Sequence, residues 1–166
     1  GLPLFGEPPR IHVHEPGRNV SAAFGDVVVH TSSDDRQVEE ASGIQLLSLH
    51  ETVVDLTRSL PPAFGLAVAD AALMLGADAA DLSDRNENRC DGRGRRRAEW
   101  VLRNADARAE SVGESVSRAV MGWLGFAAPV LQQEFIAEGH RDRADFWWPE
   151  VRVVGESDGW GKYGAS

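Results

Sequence analysis

The chain predicts a mixed α/β (α+β) fold: small strands with a helical pair first, then a helix leading into a β-meander. Three observations carry that prediction. Short β-branched runs occupy residues 10–48, helix-period apolar patterns with recognisable caps occupy 48–125, and three strand-like runs separated by turn residues follow. A helix that leads into consecutive strands reads as one mixed unit.

In chain order, Arg10-Ile11-His12-Val13-His14 alternates and Asp26-Val27-Val28-Val29-His30 is β-branched, with Pro16-Gly17 and Gly25 as turn signals. Ile44 to Ser48 is a third candidate strand. Ser48-x-x-Glu51 is a capping box that opens an apolar pattern through Val53, Val54, Leu56 and Leu60, ended by Pro61-Pro62. A second helix, Ala63 to Leu75, stops at Gly76. Residues 77–97 are polar, charged and Gly-containing, and read as a linker or loop with a short helical piece. Helix returns from Arg96 to Ala107 on Trp100 and Val101. The next begins at Ser111, runs through Val116, Ala119, Val120 and Trp123, and ends at Gly125. Pro129 to Ile136, Asp145 to Trp148 and Val151 to Val154 are strand-like, with turns at Glu138-Gly139 and Pro149. Trp147 and Trp148 fall on opposite faces, one for the core and one for a groove or partner. Two units are expected, residues 1–95 and 96–166. Four of the five Trp lie after residue 120, which predicts the heavier core in the second.

Composition narrows the function. The chain has 166 residues, 42% hydrophobic, with a net charge of −9 and a pI of about 5.0. That acidity argues against nonspecific, whole-surface binding to nucleic acid, but not against a nuclease whose metal supplies local positive charge. Cys90 is the single cysteine, so neither a disulfide framework nor a Cys-based zinc site forms within one chain. No apolar run approaches the roughly 18 residues of a membrane span. A start without Met or a charged leader predicts a soluble, cytoplasmic fragment whose natural N-terminus lies upstream.

The acidic residues of the last third carry the functional reading. They are Glu114 at a helix start, Asp145 in Arg-Ala-Asp-Phe-Trp-Trp-Pro, and Glu156 with Asp158 in Val-Val-Gly-Glu-Ser-Asp-Gly-Trp; Lys162 follows. A carboxylate-bearing strand, a turn at Pro149 and a second strand ending in Glu-x-Asp would bring these oxygens together for a hard cation. Each has a structural alternative. Ser111-x-x-Glu114 is itself a capping box, Asp145 and Glu156 could be solvated strand ends, and Asp158 before Gly159 is a natural turn former. His12 and His14 share a strand face, but no third ligand is evident. Arg93-Gly-Arg-Arg-Arg97 reads as a solvated loop. Gly159-Trp-Gly-Lys162 lacks P-loop spacing, and no Ser/His/Asp nucleophile elbow occurs.

Four stretches in order carry a resemblance: Ala109-Glu-Ser-Val-Gly-Glu-Ser-Val-Ser-Arg118, Pro129-Val-Leu-Gln132, Arg143-Ala-Asp-Phe-Trp-Trp-Pro149, and Val154-Gly-Glu-Ser-Asp-Gly-Trp-Gly-Lys-Tyr163. Together they resemble actinobacterial very-short-patch-repair-like endonucleases of the PD-(D/E)xK superfamily. Residues 10–76 are similar to the middle region of the same proteins, of the AbiEi antitoxin kind. The resemblance implies a restriction-endonuclease-like fold, DNA as substrate, and Mg²⁺ or Mn²⁺ held by Glu114, Asp145 and Glu156. It further implies Asp158 as the second acid of the pair, Lys162 on the phosphate, no membrane, and a defence or toxin–antitoxin setting. A homodimer or an upstream winged-helix domain is the implied partner. Two departures follow: Asp158 stands where the superfamily has Lys, and Ser157 stands where an apolar strand residue is expected. The last helix and strands of such a fold would lie beyond Ser166, so a truncated domain is expected. The rival reading is a non-catalytic DNA-binding regulator or antitoxin with a degenerate nuclease fold.

Overall fold

The computed structural model describes residues 1–7 and 10–158, and among these it is mixed α and β, with five helices and three small sheets. Strands β1 (Ile11–His14), β2 (Ala22–Phe24) and β3 (Val27–His30) form the first sheet in the order β1-β3-β2. β1 runs parallel to β3 and β2 antiparallel to it. β4 (Val38–Ala41) and β5 (Ile44–Leu47) make a hairpin. Its turn, Ser42-Gly43, holds both φ angles positive at 55° and 78°, the geometry that matches the right-handed twist of paired strands. β2 and β4 escape the sequence reading because Ala-Ala-Phe and Val-Glu-Glu-Ala show no β-branched alternation; pairing with β3 and β5 makes them strands.

Helix α1 (Leu49–Ser59) starts where the cap predicts, with Ser48 Oγ accepting the Glu51 N–H. Only half of the capping box forms. The Ser48 N–H donates to Gln37 O instead, and the Glu51 carboxylate turns to arginines. α2 (Pro62–Met74) begins on a proline, whose missing N–H is harmless at a helix start, and ends at Gly76 with φ 92°.

Residues 77–97 correct the linker expectation. They hold α3 (Ala79–Asn88), capped by Asp78 accepting the Asp81 N–H at 2.9 Å, with Leu82 and Asn86 buried. Its ten residues carry one large apolar side chain, too little for a helical period, and packing against α1 stabilises it instead. α4 (Arg95–Asn104) packs on α1, α2 and α3, so the helix expected to open the second unit sits in the helical layer of the first. Val53, Val54, Val68, Ala72, Ala77 and Leu82 form the larger core here. The core of the last third is smaller, comprising Ala109, Leu131 and Phe146 with Met121 and Trp148 against them. The tryptophans mislead because Trp100 and Trp123 pair with each other, tilted at 34° with centroids 5.7 Å apart, and Trp147 meets Phe135 edge-on at 5.2 Å; Trp160 lies outside the described residues.

A buried charge cluster ties the first sheets to the helices. Glu51, 2% exposed, pairs with Arg36, Arg85 and Arg89. Burial pushes its carboxyl upward, but the hydrogen bond and charge of Arg89, with Arg85 and Arg36, outweigh it and hold the group below its ordinary 4.5. Asp34 is likewise held low: burial is outweighed by hydrogen bonds from Cys90 and the charges of Arg89 and Arg36. A depressed carboxyl contributes stability above its unfolded-state value and loses it as pH falls through the folded one. Asp70 has the opposite sign. Burial raises it above 3.8, against hydrogen bonds from Ser115 and the Asp106 amide and the charge of Arg118, so the folded state gains relative stability as pH falls through that range. Urea midpoints measured from about pH 6 to pH 3 should therefore decline toward acid. The decline should be shallower in E51Q and steeper in D70N; equal slopes in all three proteins would reject the assignment.

α5 (Val112–Trp123) is keyed to α2 through the same Asp70. It accepts from Ser115 Oγ at 2.6 Å, Arg118 at 2.8 Å and the Asp106 N–H at 2.7 Å. β6 (Val130–Ala137), β7 (His140–Trp148) and β8 (Val153–Gly155) then form an antiparallel meander in chain order. The turn Glu138-Gly139 again has two positive φ values, 50° and 81°. β7 begins at His140 rather than Asp145 because this tight turn pairs the strands from their first residues, Ala137 with His140.

Candidate functional site

The site forms where the first turn of α5 crosses β6 and β7. Ser111 caps α5 by accepting the Glu114 N–H at 3.1 Å. The capping box closes one residue early, since Glu114 Oε2 accepts the Glu110 N–H at 3.0 Å rather than that of Ser111. Glu114 is 4% exposed and sits in the first turn of α5. Its oxygen has a second donor, Gln132 Nε2, at 2.8 Å.

Gln132 belongs to β6 and falls opposite Asp145, between the pairs Leu131–Phe146 and Gln133–Ala144. Its Nε2 also lies 3.4 Å from Asp145 Oδ1. Glu114 and Asp145, far apart in sequence, are thus brought to one amide nitrogen. Gln132 does this at a cost. Its φ is 53°, a left-handed conformation worth about 1–3 kcal/mol of strain for a non-glycine residue. Its Oε1 is buried without a hydrogen-bond partner, a further cost of about 1–3 kcal/mol.

The segment after β8 closes the other side. The Ser157 N–H donates to Asp145 Oδ2 at 2.7 Å, and a Cβ on Gly113 would stand 2.7 Å from Ser157 Oγ. Glycine in the first turn of α5 is what lets this segment pass so close. Glu156 and Asp158 flank Ser157 and are exposed. At the rim, Arg143 of β7 makes a bidentate pair with Glu110 at 2.8 and 2.7 Å.

The structure therefore joins Glu114 with Asp145 and places Ser157, between Glu156 and Asp158, against Asp145. Lys162 lies outside the described residues. Among the described residues, no three His, Cys, Asp or Glu side chains lie close enough to hold a metal ion. Two carboxylates still suit Mg²⁺ or Mn²⁺, which commonly take one or two carboxylates and keep several waters. The side chain that bridges them also carries a buried amide oxygen without a partner, so the residues present fit such an ion without forming a full cage.

Sequence reasoning gave no role to Gln132, Gly113, Ser157 or Asp70. Asp70 had a signal, an acid inside the otherwise apolar α2; Gln132, Gly113 and Ser157 lie within the stretches that carry the resemblance, but their residue types alone indicate no contact. The other candidates settle into structural roles. His12 Nδ1 pairs with His30 Nε2 at 2.8 Å, and His14 Nε2 with Ser32 Oγ. Burial and the charge of Arg36 lower the pKa of His14. Arg97 caps the end of α1 through the carbonyls of Arg58, Ser59 and Leu60, and Arg95 donates to Arg89 O, so this basic run is partly committed to backbone. Among the described residues, no helix is long and apolar enough to cross a membrane.

The chain is similar to two uncharacterized proteins of Mycobacterium tuberculosis, Rv2248 and MT2308. Each is 34% identical over 150 residues, covering 88% of this chain and 54% of the relative. The chain thus spans about half the length of the curated relatives it matches. No family model matches the chain, and no solved structure matches it significantly.

Proposed function

We propose that the chain carries the metal-ion site of a DNA endonuclease of restriction-endonuclease-like fold, acting on phosphodiester bonds. One observation carries this reading: Glu114 of α5 and Asp145 of β7 converge on Gln132 Nε2. A helical acid facing a strand acid across a meander is the arrangement the resemblance implies. Glu114 and Asp145 would hold Mg²⁺ or Mn²⁺. Bound there, the ion supplies a polarised phosphoryl oxygen and an acidified water. The chain's own part is to orient: Ser157 N–H and Gln132 fix both Asp145 oxygens, and the Glu110 N–H with Gln132 fixes Glu114 Oε2. By the resemblance, Glu156, adjacent to Ser157, would be the third acid and Lys162 would contact the phosphate. Residues 1–95 carry the AbiEi-like part, and an acidic chain with a local cationic site binds DNA through the ion rather than through a broad basic face.

A second reading, a non-catalytic DNA-binding regulator, is favoured by one observation, the lack of a third clustered acid among the described residues. Mn²⁺-dependent cleavage of supercoiled DNA separates the two. The full chain should nick the substrate, and folded D145A and E114Q variants should be slower by about 100-fold or more, beyond the 10–100-fold typical of outer-shell partners. Equal background in all three, with DNA still retarded in gels, would leave the regulator.

A further inference from the structure

We propose that Gln132 is itself part of the metal site, a reversible amide that holds the two carboxylates together without the ion and turns its oxygen to the ion when loaded. This rests on the metal-site reading above, in which Gln132 only orients the carboxylates, and gives it a ligand's role as well. Three independent observations converge on it. The Nε2 of Gln132 stands between Glu114 Oε2 and Asp145 Oδ1, at 2.8 and 3.4 Å, one donor bridging two carboxylates. Its Oε1 is buried with no partner, although buried polar atoms are nearly always satisfied. Its backbone has φ 53°, and such conformations persist where the surrounding structure enforces them, commonly at functional sites.

The chemistry explains why an amide suits this position. Two carboxylates need a donor between them when no ion is present, and an acceptor beside them when one is. A glutamine amide carries both on one carbon and exchanges them by a turn of about 180° about its last torsion. Lysine or arginine would offer only donors and would compete with the ion. Glutamate would offer only acceptors and leave three charges facing one another.

The test is a calorimetric Mn²⁺ titration of the full chain, with melting temperatures measured with and without Mn²⁺, for wild type, Q132G, Q132E and D145A. Glycine accepts a positive φ, which offsets part of the loss of the bridging donor, so Q132G should stay folded, with a modestly lower metal-free melting temperature, while removing the amide. It should bind Mn²⁺ about 10–100-fold more weakly. Q132E should melt lower without the ion, recover with Mn²⁺, and bind it more tightly than wild type. Unchanged Mn²⁺ affinity in Q132G, with affinity lost in D145A, overturns the assignment of Gln132 alone. Absence of Mn²⁺ binding by wild type overturns it together with the metal-site reading.

Discussion

Glu51→Ala is expected to destabilise the protein by about 3–5 kcal/mol, the range for breaking a buried ion pair by removing one partner. Glu51 sits 2% exposed at the centre of three guanidinium groups. The side chain of Arg89 is 6% exposed and that of Arg36 is 12% exposed, so neither regains full hydration when the carboxylate is lost. Asp34 and Asp55 are the acids left to them, the former 3.9 Å from Arg89 and the latter 2.9 Å from Arg36, and the half-exposed Asp55 compensates only in part. In a chain of this size the loss corresponds to a melting temperature lowered by about 10 °C. E51Q keeps the volume and should lose nearly as much, which assigns the effect to charge rather than to a cavity. The double variant E51L/R89M should recover part of the loss, because a buried pair replaced by apolar groups is often neutral. A loss below about 1 kcal/mol in E51A, measured by urea unfolding, would show the cluster to be solvated and the account wrong.

Gly94→Ala is expected to cost about 2–5 kcal/mol, combining about 1–2 for a left-handed residue with a Cβ and about 1–3 for overpacking. Gly94 begins α4 with φ 72°. A Cβ there would press on the carbonyl oxygen of Arg58 and lie 2.9 Å from its carbon. The obstacle is backbone, so it cannot be relieved by turning a side chain. It also lies at the end of α1, where Arg97 collects the last carbonyls and Arg58 reaches Asn86 and Asp91. Displacing that junction would loosen three helices together. Gly92→Ala, two residues away with nothing near its Cβ position, is the control and should change stability by less than about 1 kcal/mol. Equal effects of the two substitutions in thermal melts would refute the steric argument.

Much of the chain was legible because local signals and packing agreed. Ser48 and Ser111 are caps whose hydroxyls accept the amide three residues on, whatever the rest of the fold does. Gly76, Pro62 and the Glu138-Gly139 turn work the same way: each sets a backbone angle locally, and the element boundary follows. The mixed α and β class, the two apolar helices and the closing meander come from such signals. Glu114 and Asp145 could be singled out for the same reason, since each is marked by its own motif.

The tertiary structure alone decided what depends on approach between distant segments. α3 is a helix because α1 buries Leu82, and no period of its own reveals it. Glu51 is read locally as a cap, yet arginines 15 to 38 residues away claim its carboxylate, because charge-assisted bonds in a buried cluster outweigh one capping bond. Gln132 stands in a stretch that carries the resemblance, but nothing in that stretch marks its role. Its strained backbone, its orphaned oxygen and its place between two carboxylates come from the pairing of β6 with β7 under the first turn of α5. Sequence alone determined which residues could do chemistry, since side-chain type and local spacing are written in the chain. Which of them meet was decided by packing, because distances between segments depend on every contact between them.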